Sequence, residues 1–274
     1  MNIITKYITL ILTLISGSVP TITTHNSQIP VQTKDEGLYL STPSRYVYKG
    51  KDPNNYLNFN NELWRIISFE PDGTIKIIKT QNLQNIPFDE ANSNNWETSS
   101  LNSYLNNTYL NSIPKEYQNL IETHSWNIGS VYKTQKSGET LKSTKEEERE
   151  ITYKAKIGLV SMSEYVEAMH DTKLCGSISL IFKNESRCQN YLDKTVKEEN
   201  KEAAWTISKD EYSESTVYYI GNTYFPDNMA NSNFIAAMPA LYLNKTITLT
   251  GDGTKPNPYQ ITKTDWQFWQ PNSD

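Results

Sequence analysis

Residues 60–79, NNELWRIISFEPDGTIKIIK, decide how the rest of the chain is read. Apolar and polar positions partly alternate from Leu63 to Phe69, Glu-Pro-Asp-Gly follows, and the chain returns from Thr74 to Lys79 with Ile75 and Ile77 on one face. Pro71 suits the second position of a type I turn, and Gly73 takes the positive-φ position behind it. Two β-rich runs joined in this way predict a hairpin. Trp64 is expected to belong to its scaffold, packed against a helix carrying Leu101 and Leu105, with no chemistry of its own.

Beyond the hairpin, Leu101, Tyr104 and Leu105 have helical spacing, with Ser99 or Ser100 placed to cap the helix N-terminus. Pro114 opens a second expected helix, whose inner face would be Tyr117, Leu120 and Ile121. THSWNIGSVY, from Thr123, reads as a strand. Residues 133–150 carry mixed charge and almost no apolar side chain, so a solvated excursion is expected there. KIGLVSMSEYVEAM, from Lys156, predicts a strand and then a helix. Ser161 and Glu164 match a capping box, and Tyr165, Ala168 and Met169 share a helical face. AAWTIS, STVYYIGNTYF and the run from Phe234 to Ile261 read as strands, the last around a Gly-Asp-Gly turn. The expected class is α+β, a single domain over residues 37–262 built from antiparallel hairpins, with helices mainly in the first half and strands in the second.

Composition bounds the function. Of 274 residues, 36% are hydrophobic and 21% charged, with mean hydropathy −0.64. The 18 Tyr and 6 Trp lie in bounded, periodic runs and can still build a core. A net charge of −5 and a pI near 5.4 offer no basic field for nucleic acid. Lys6, the apolar run YITLILTLIS and the small residues Ser16, Gly17 and Ser18 describe a secretory signal over residues 1–18. The run is short for a membrane-spanning helix, which needs about 20 apolar residues. No Cys follows it to carry a lipid, and membrane contact is expected only if the segment stays uncleaved. Residues 19–36 read as a polar linker and 263–274 as a tail. The expected location is secreted or cell-surface. An oxidising compartment then favours a disulfide between Cys175 and Cys188. Zinc would want four ligands, and only His170 is near.

RYVYKGKDPNNYLNFNNELWRII, NNWETSSLNSYLN, KIGLVSMSEY, WTIS and PALYLNKTITLTGDGTKPNPYQI occur in that order. Together they resemble uncharacterised secreted or surface proteins of Firmicutes and related low-GC bacteria, grouped in domains such as DUF6273, over roughly residues 40–262. That group is similar in organisation to C-type-lectin-like folds. The resemblance implies an α+β domain with helices beside a twisted hairpin core and a variable loop region before the last strand. The chain departs from the group's pattern at Lys209, where a Pro usually ends the tryptophan strand, and at Met238, where an Arg usually precedes Pro239. Any role carried by that Arg does not transfer.

Catalytic signatures are missing from the sequence: there is no G-x-S-x-G, H-E-x-x-H, Walker loop or G-x-G-x-x-G. His124 is expected as a hydrogen-bonded edge residue. A glycoside hydrolase would need two facing carboxylates, for which Asp89, Glu90, Glu122 and Glu164 are formally available. QPNSD superficially matches calcium-lectin loops but lies in the tail, so no metal and no cofactor are expected. What remains is a binding surface. Tyr219, Tyr224 and Phe225 with Asp227, Asn228 and Asn231 put aromatic faces beside amide and carboxylate groups, which suits a glycan or a surface protein. Asn233 adjoins them, whereas Tyr218 shares a face with Ile220 and is expected in the core. The expected function is a non-catalytic recognition or adhesion module. A structural cell-envelope protein and a carboxylate-dependent glycoside hydrolase are the alternatives.

Overall fold

The computed structural model describes residues 21–24, 27–131, 144, 148–178, 188–196, 203–221 and 227–262. The signal segment 1–18, the tail 263–274, Tyr224 and Phe225 lie outside the described residues.

In chain order, β1 (Thr21–Thr24) and β2 (Ser27–Pro30) form a separate hairpin. β3 (Gly37–Thr42), β4 (Arg45–Lys49), β5 (Tyr56–Phe59), β6 (Glu62–Phe69) and β7 (Ile75–Lys79) open the main sheet. The short strands β8 (Ile121–Glu122), β9 (His124–Asn127) and β10 (Ser130–Val131) follow, then β11 (Thr152–Ala155) and β12 (Ile157–Gly158). The last third supplies β13 (Ala203–Asp210), β14 (Thr216–Ile220), β15 (Asp227–Met229), β16 (Ile235–Ala236), β17 (Ala240–Leu243), β18 (Thr248–Thr250) and β19 (Tyr259–Thr262).

Among the described residues a ten-stranded sheet runs β12-β17-β7-β6-β5-β19-β18, with β4 beside β6, β3 beside β4 and β8 beside β17, and a five-stranded sheet runs β10-β13-β14-β15 with β16 beside β13. In the larger sheet β4 and β5 share one edge of β6, β4 beside Ser68 and Phe69 and β5 beside the other end. The expected hairpin is β6–β7. Gly73 N–H donates to Glu70 O at 2.9 Å and Glu70 N–H to Thr74 O at 2.9 Å, with Gly73 at φ +89°. This three-residue loop with a left-handed glycine is a standard way to join twisted strands.

β7 is buried along its whole length, including Lys76 and Lys79. Each ammonium is paired, Lys76 with Glu164 and Lys79 with Glu62. Lys76 Nζ also stands 4.4 Å from the Trp126 ring centre and 5.0 Å from that of Tyr242. Pairing and ring contact offset the cost of taking these charges out of water. Arg65 on β6 is fully buried, donating to Asn55 Oδ1 and Asp52 Oδ1 at 2.8 Å each. Its guanidinium lies 4.1 Å from the Tyr56 ring centre and 5.0 Å from that of Tyr191. Trp64, Leu101 and Leu105 are all buried in one core, and Trp64 meets Phe59 edge-on.

Residues 100–112 form one helical stretch, capped by Ser99 and widened to a π-helix over Tyr104–Tyr109. There Asn106 pairs with both backbone groups of Ile157, donating to its carbonyl at 2.9 Å and accepting from its N–H at 3.0 Å. The side chain thereby completes an edge of the sheet that would otherwise stay open. Shorter helices cover Lys115–Gln118, Met162–Glu167, Thr172–Cys175 and Tyr191–Lys194. The capping box of Ser161 and Glu164 is present at the second of these.

The fold is α+β and rich in sheet, but its distribution differs from expectation in four ways. Strands fill both halves of the chain, because many are two to six residues long, too short for alternation to show. Three pairings, β10–β13, β13–β16 and β5–β19, are parallel, so the sheets are not built from antiparallel hairpins alone. The expected second helix lasts one turn, Lys115–Gln118, because Ile121 pairs with Leu243 and tertiary pairing overrides helical spacing. Finally, Ile29 and Val31, within the expected linker, are buried, as are Thr144 and Glu148 within the expected solvated excursion.

Candidate functional site

The five-stranded sheet ends in a turn at residues 211–215, between β13 and β14, with the edge strand β15 alongside. Short polar side chains hold this turn. Tyr212 N–H donates to Asp210 Oδ1 at 2.9 Å, Ser215 N–H to Ser213 Oγ at 3.2 Å, and Thr216 Oγ1 to Ser213 Oγ at 2.6 Å. Such self-bonding is why Asp and Ser favour turns.

A second segment, residues 89–95, braces it. Asn94 N–H donates to Glu214 O at 2.9 Å, and its side-chain amide to Ser213 O and to Thr216 O. Asp89 N–H donates to Ala230 O at 2.9 Å, and Asn231 N–H to Asn92 Oδ1 at 3.2 Å. Asn92 sits at φ +60°, a left-handed geometry that asparagine tolerates better than most residues. The Asp89 carboxylate accepts from Ser93 N–H and Ser100 N–H at 3.0 Å each, fixing the brace to the start of the 100–112 helix.

On this braced backbone three large side chains face solvent: Tyr212, 67% exposed, Met229, 45%, and Phe234, 79%. Met229 lies opposite Thr216, next to the turn that carries Tyr212. Ser232 N–H donates to Met229 O at 2.9 Å, which turns the chain toward Phe234. Apolar side chains on a pre-ordered backbone can be covered by a partner with little further ordering.

The expected ligand residues are only partly brought together. Tyr219 is half-buried, opposite Trp205 and edge-on to its ring at 6.4 Å. Tyr218 and Ile220 are both in the core. Asn228 pairs across from Val217 and so shares the face of Tyr219, whereas Asp227 lies across from Tyr218. Strand alternation therefore places Tyr219 and Asn228 on one face of the sheet and Asp227 on the other. Asn228 is further occupied by accepting from Met229 N–H at 2.8 Å. Asn231 and Asn233 are exposed beyond β15. Tyr224 and Phe225 are outside the described residues. Sequence reasoning overlooked Tyr212, Met229 and Phe234. Only Tyr212 has polar neighbours on both sides, Glu211 and Ser213; Met229 adjoins Ala230 and Phe234 adjoins Ile235, so the sequence marks neither as exposed.

A second group is buried. Ser208 Oγ donates to Glu148 Oε1 at 2.5 Å, and the Asn127 amide lies 3.4 Å from Oε2. Glu148 N–H donates to Thr144 O at 2.9 Å, while Thr144 N–H donates to Gly176 O at 3.0 Å and its Oγ1 accepts from Ile178 N–H at 3.1 Å. Burial pushes the Glu148 carboxyl up to about 7; serine hydroxyls at 163, 208 and 161 pull it down, and the charge of Glu164 pushes it up. Glu164 is tied to Lys76 and accepts from Ser161 N–H at 2.8 Å. Nothing in the run KEEERE marks Glu148 out from its neighbours.

Of the other candidate carboxylates, Glu90 and Glu122 are exposed and Asp89 is committed to the brace. The His124 ring stacks on Tyr242 at 3.7 Å, with Nε2 3.3 Å from Asp72, which is the hydrogen-bonded edge position expected of it. His170 meets the Tyr39 hydroxyl at 3.1 Å and lines a cavity of about 190 Å3 beside the Cys175–Cys188 disulfide. Among the described residues no group of three or more His, Cys, Asp or Glu could hold a metal ion, and no helix is long and apolar enough to cross a membrane.

A family described as a domain of unknown function, DUF6273, matches residues 72–246. No curated protein and no solved structure matches the chain. The matched span starts in the β6–β7 turn and ends after β17, taking in the brace, the turn and β15. The chain belongs to the DUF6273 family.

Proposed function

We propose that this is a secreted or cell-surface recognition module, of C-type-lectin-like organisation and from the kind of bacterial surface protein that its motifs resemble. It binds a glycan or a surface protein through the turn at residues 211–215, β15 and the residues that follow. One observation carries this reading: Tyr212 and Met229 are exposed on a backbone that Asp89, Asn92 and Asn94 hold in place, and Phe234 is exposed on the segment that continues from Met229. The leader-like residues 1–18 and the disulfide support an extracellular setting.

The test is binding of the chain to a glycan array and to intact bacterial and host cells, with calcium and with EDTA. Saturable binding that Phe234→Ala reduces at least about tenfold is expected, as for an anchor residue in an interface. Binding to nothing by a folded, disulfide-bonded chain would refute the proposal and favour a structural envelope role. The hydrolase alternative would draw on Glu148 with Glu164. It predicts turnover of chromogenic glycosides that Glu148→Gln abolishes.

A further inference from the structure

Glu148 fixes a short strap, residues 148–151, to the domain. Of these residues only Glu148 is buried. Arg149 and Glu150 are exposed and Ile151 is 43% exposed, so the strap covers little apolar surface. Its backbone is tied to residues 127–130: Arg149 N–H donates to Ser130 O at 3.2 Å, Ile128 N–H to Ile151 O at 2.7 Å, and Ile151 N–H to Asn127 Oδ1 at 3.2 Å. Segments with few buried apolar contacts open at lower cost than the core does. The Glu148 side chain is met by Ser208 of β13, Asn127 of β9, and Ser161 and Ser163 at the start of the Met162–Glu167 helix.

These partners are hydroxyls and an amide, all uncharged. Among the described residues no ion pair includes Glu148. Charged groups on the surrounding elements are engaged elsewhere. On the helix Glu164 pairs with Lys76 and Glu167 with Arg45, and the Glu164 charge repels Glu148. On the strap Arg149 pairs with Glu211, on β9 His124 faces Asp72, and at the end of β13 Asp210 accepts from Tyr212 N–H. Lys209 follows Ser208 and stands on the other face of its strand.

We infer that Glu148 is a proton-operated catch: protonated, it holds residues 148–151 against β9, β10 and β13, and ionised, it lets this strap open locally while the rest of the domain stays folded. An ionised Glu148 would be an unpaired buried charge beside a second carboxylate, and opening the strap returns it to water. Burial pushes its carboxyl up to about 7, so the closed form is favoured in acid and loses that advantage as pH rises through about 7. Opening also takes Arg149 away from Glu211. Glu211 begins the 211–215 turn and is held by Arg149, by Ser130 Oγ and by its own N–H to Val131 O at 3.1 Å. The catch thus sets how firmly that turn is anchored, whatever the turn binds.

The test is hydrogen exchange of the full chain at pH 6 and pH 8.5, read as protection factors, which divide out the intrinsic pH dependence of exchange. Ile66 N–H, which donates to Asn55 O at 2.7 Å in the main sheet, is the internal reference. Relative to Ile66, protection at Ile128 and Arg149 is expected to fall about tenfold between the two pH values, with Glu211 falling in the same direction. In Glu148→Gln, which keeps an acceptor without the charge, the fall should be less than about twofold. In Glu150→Gln, an exposed neighbour on the strap, it should match the parent. No fall at Ile128 and Arg149 in the parent overturns the inference, a result that needs no variant to fold. An equal fall at Ile66 overturns the local catch, since the proton then acts on unfolding of the whole domain. An equal fall in Glu148→Gln assigns the effect to another group and overturns it as well. Loss at Ile128 and Arg149 with none at Glu211 overturns the link to the turn.

Discussion

Replacing Glu148 with Gln should remove a pH dependence built into the core. In the folded chain the Glu148 carboxyl is pushed up to about 7 by burial, against an ordinary value of 4.5. The folded state thus binds this proton more tightly than the unfolded chain does, so the stability linked to it is fully present below pH 4.5 and is lost as pH rises through about 7. With 1.36 kcal/mol for each tenfold change in proton affinity, the gap corresponds to about 3 kcal/mol. Urea unfolding followed by tryptophan fluorescence at pH 5 and pH 8, with the disulfide intact, measures it directly. The parent chain should be less stable at pH 8. Glu148→Gln keeps an acceptor for Ser208 and carries no charge, so it should match the parent near pH 5 and exceed it by up to about 3 kcal/mol at pH 8. Other groups that titrate in this window are common to both chains and cancel in the difference. A difference that does not change between pH 5 and pH 8 would refute the reasoning.

Three further outcomes concern stability. Replacing Cys175 and Cys188 with Ser opens a loop of sequence separation 13 and should cost about 3 kcal/mol in the same urea titration. Ser161→Ala removes half of the capping box at Met162–Glu167 and should cost about 1 kcal/mol, with Ser161→Asn recovering most of it. Arg65→Met leaves the fully buried Asn55 without the donor to its Oδ1 and should cost about 2–3 kcal/mol, seen as a lower urea midpoint.

The parts of the fold that could be read from the residues are those specified locally. The β6–β7 hairpin follows from Pro71 and Gly73 between two β-rich runs, and the Met162–Glu167 helix from the spacing of Ser161 and Glu164. Tyr218 was recognisable as core because it alternates in step with Ile220. What could not be read depends on distant partners. Ile121 looks helical by spacing until Leu243 is placed beside it. Glu148 looks solvated until Ser208 and Asn127 close over it. The candidate site was half legible: the segment around Asp227–Met229 was identified, but its division between two sheet faces needs the pairing with β14. The brace was invisible, because an asparagine that bonds a backbone 119 residues away looks no different from one in a loop.

The parallel pairing of β5 with β19 sets an order of events. Leu57 must wait for Tyr259, and Ile78 for Ala240, so the main sheet cannot be completed until nearly the last described residues are available. Contacts this remote carry a large closure entropy and make folding slow. During that interval the early hairpins stand with open edges, which other chains could pair with. A nascent chain of this topology gains from being handled as an extended polymer until its last strand has emerged, and fragments truncated before Tyr259 should aggregate rather than fold.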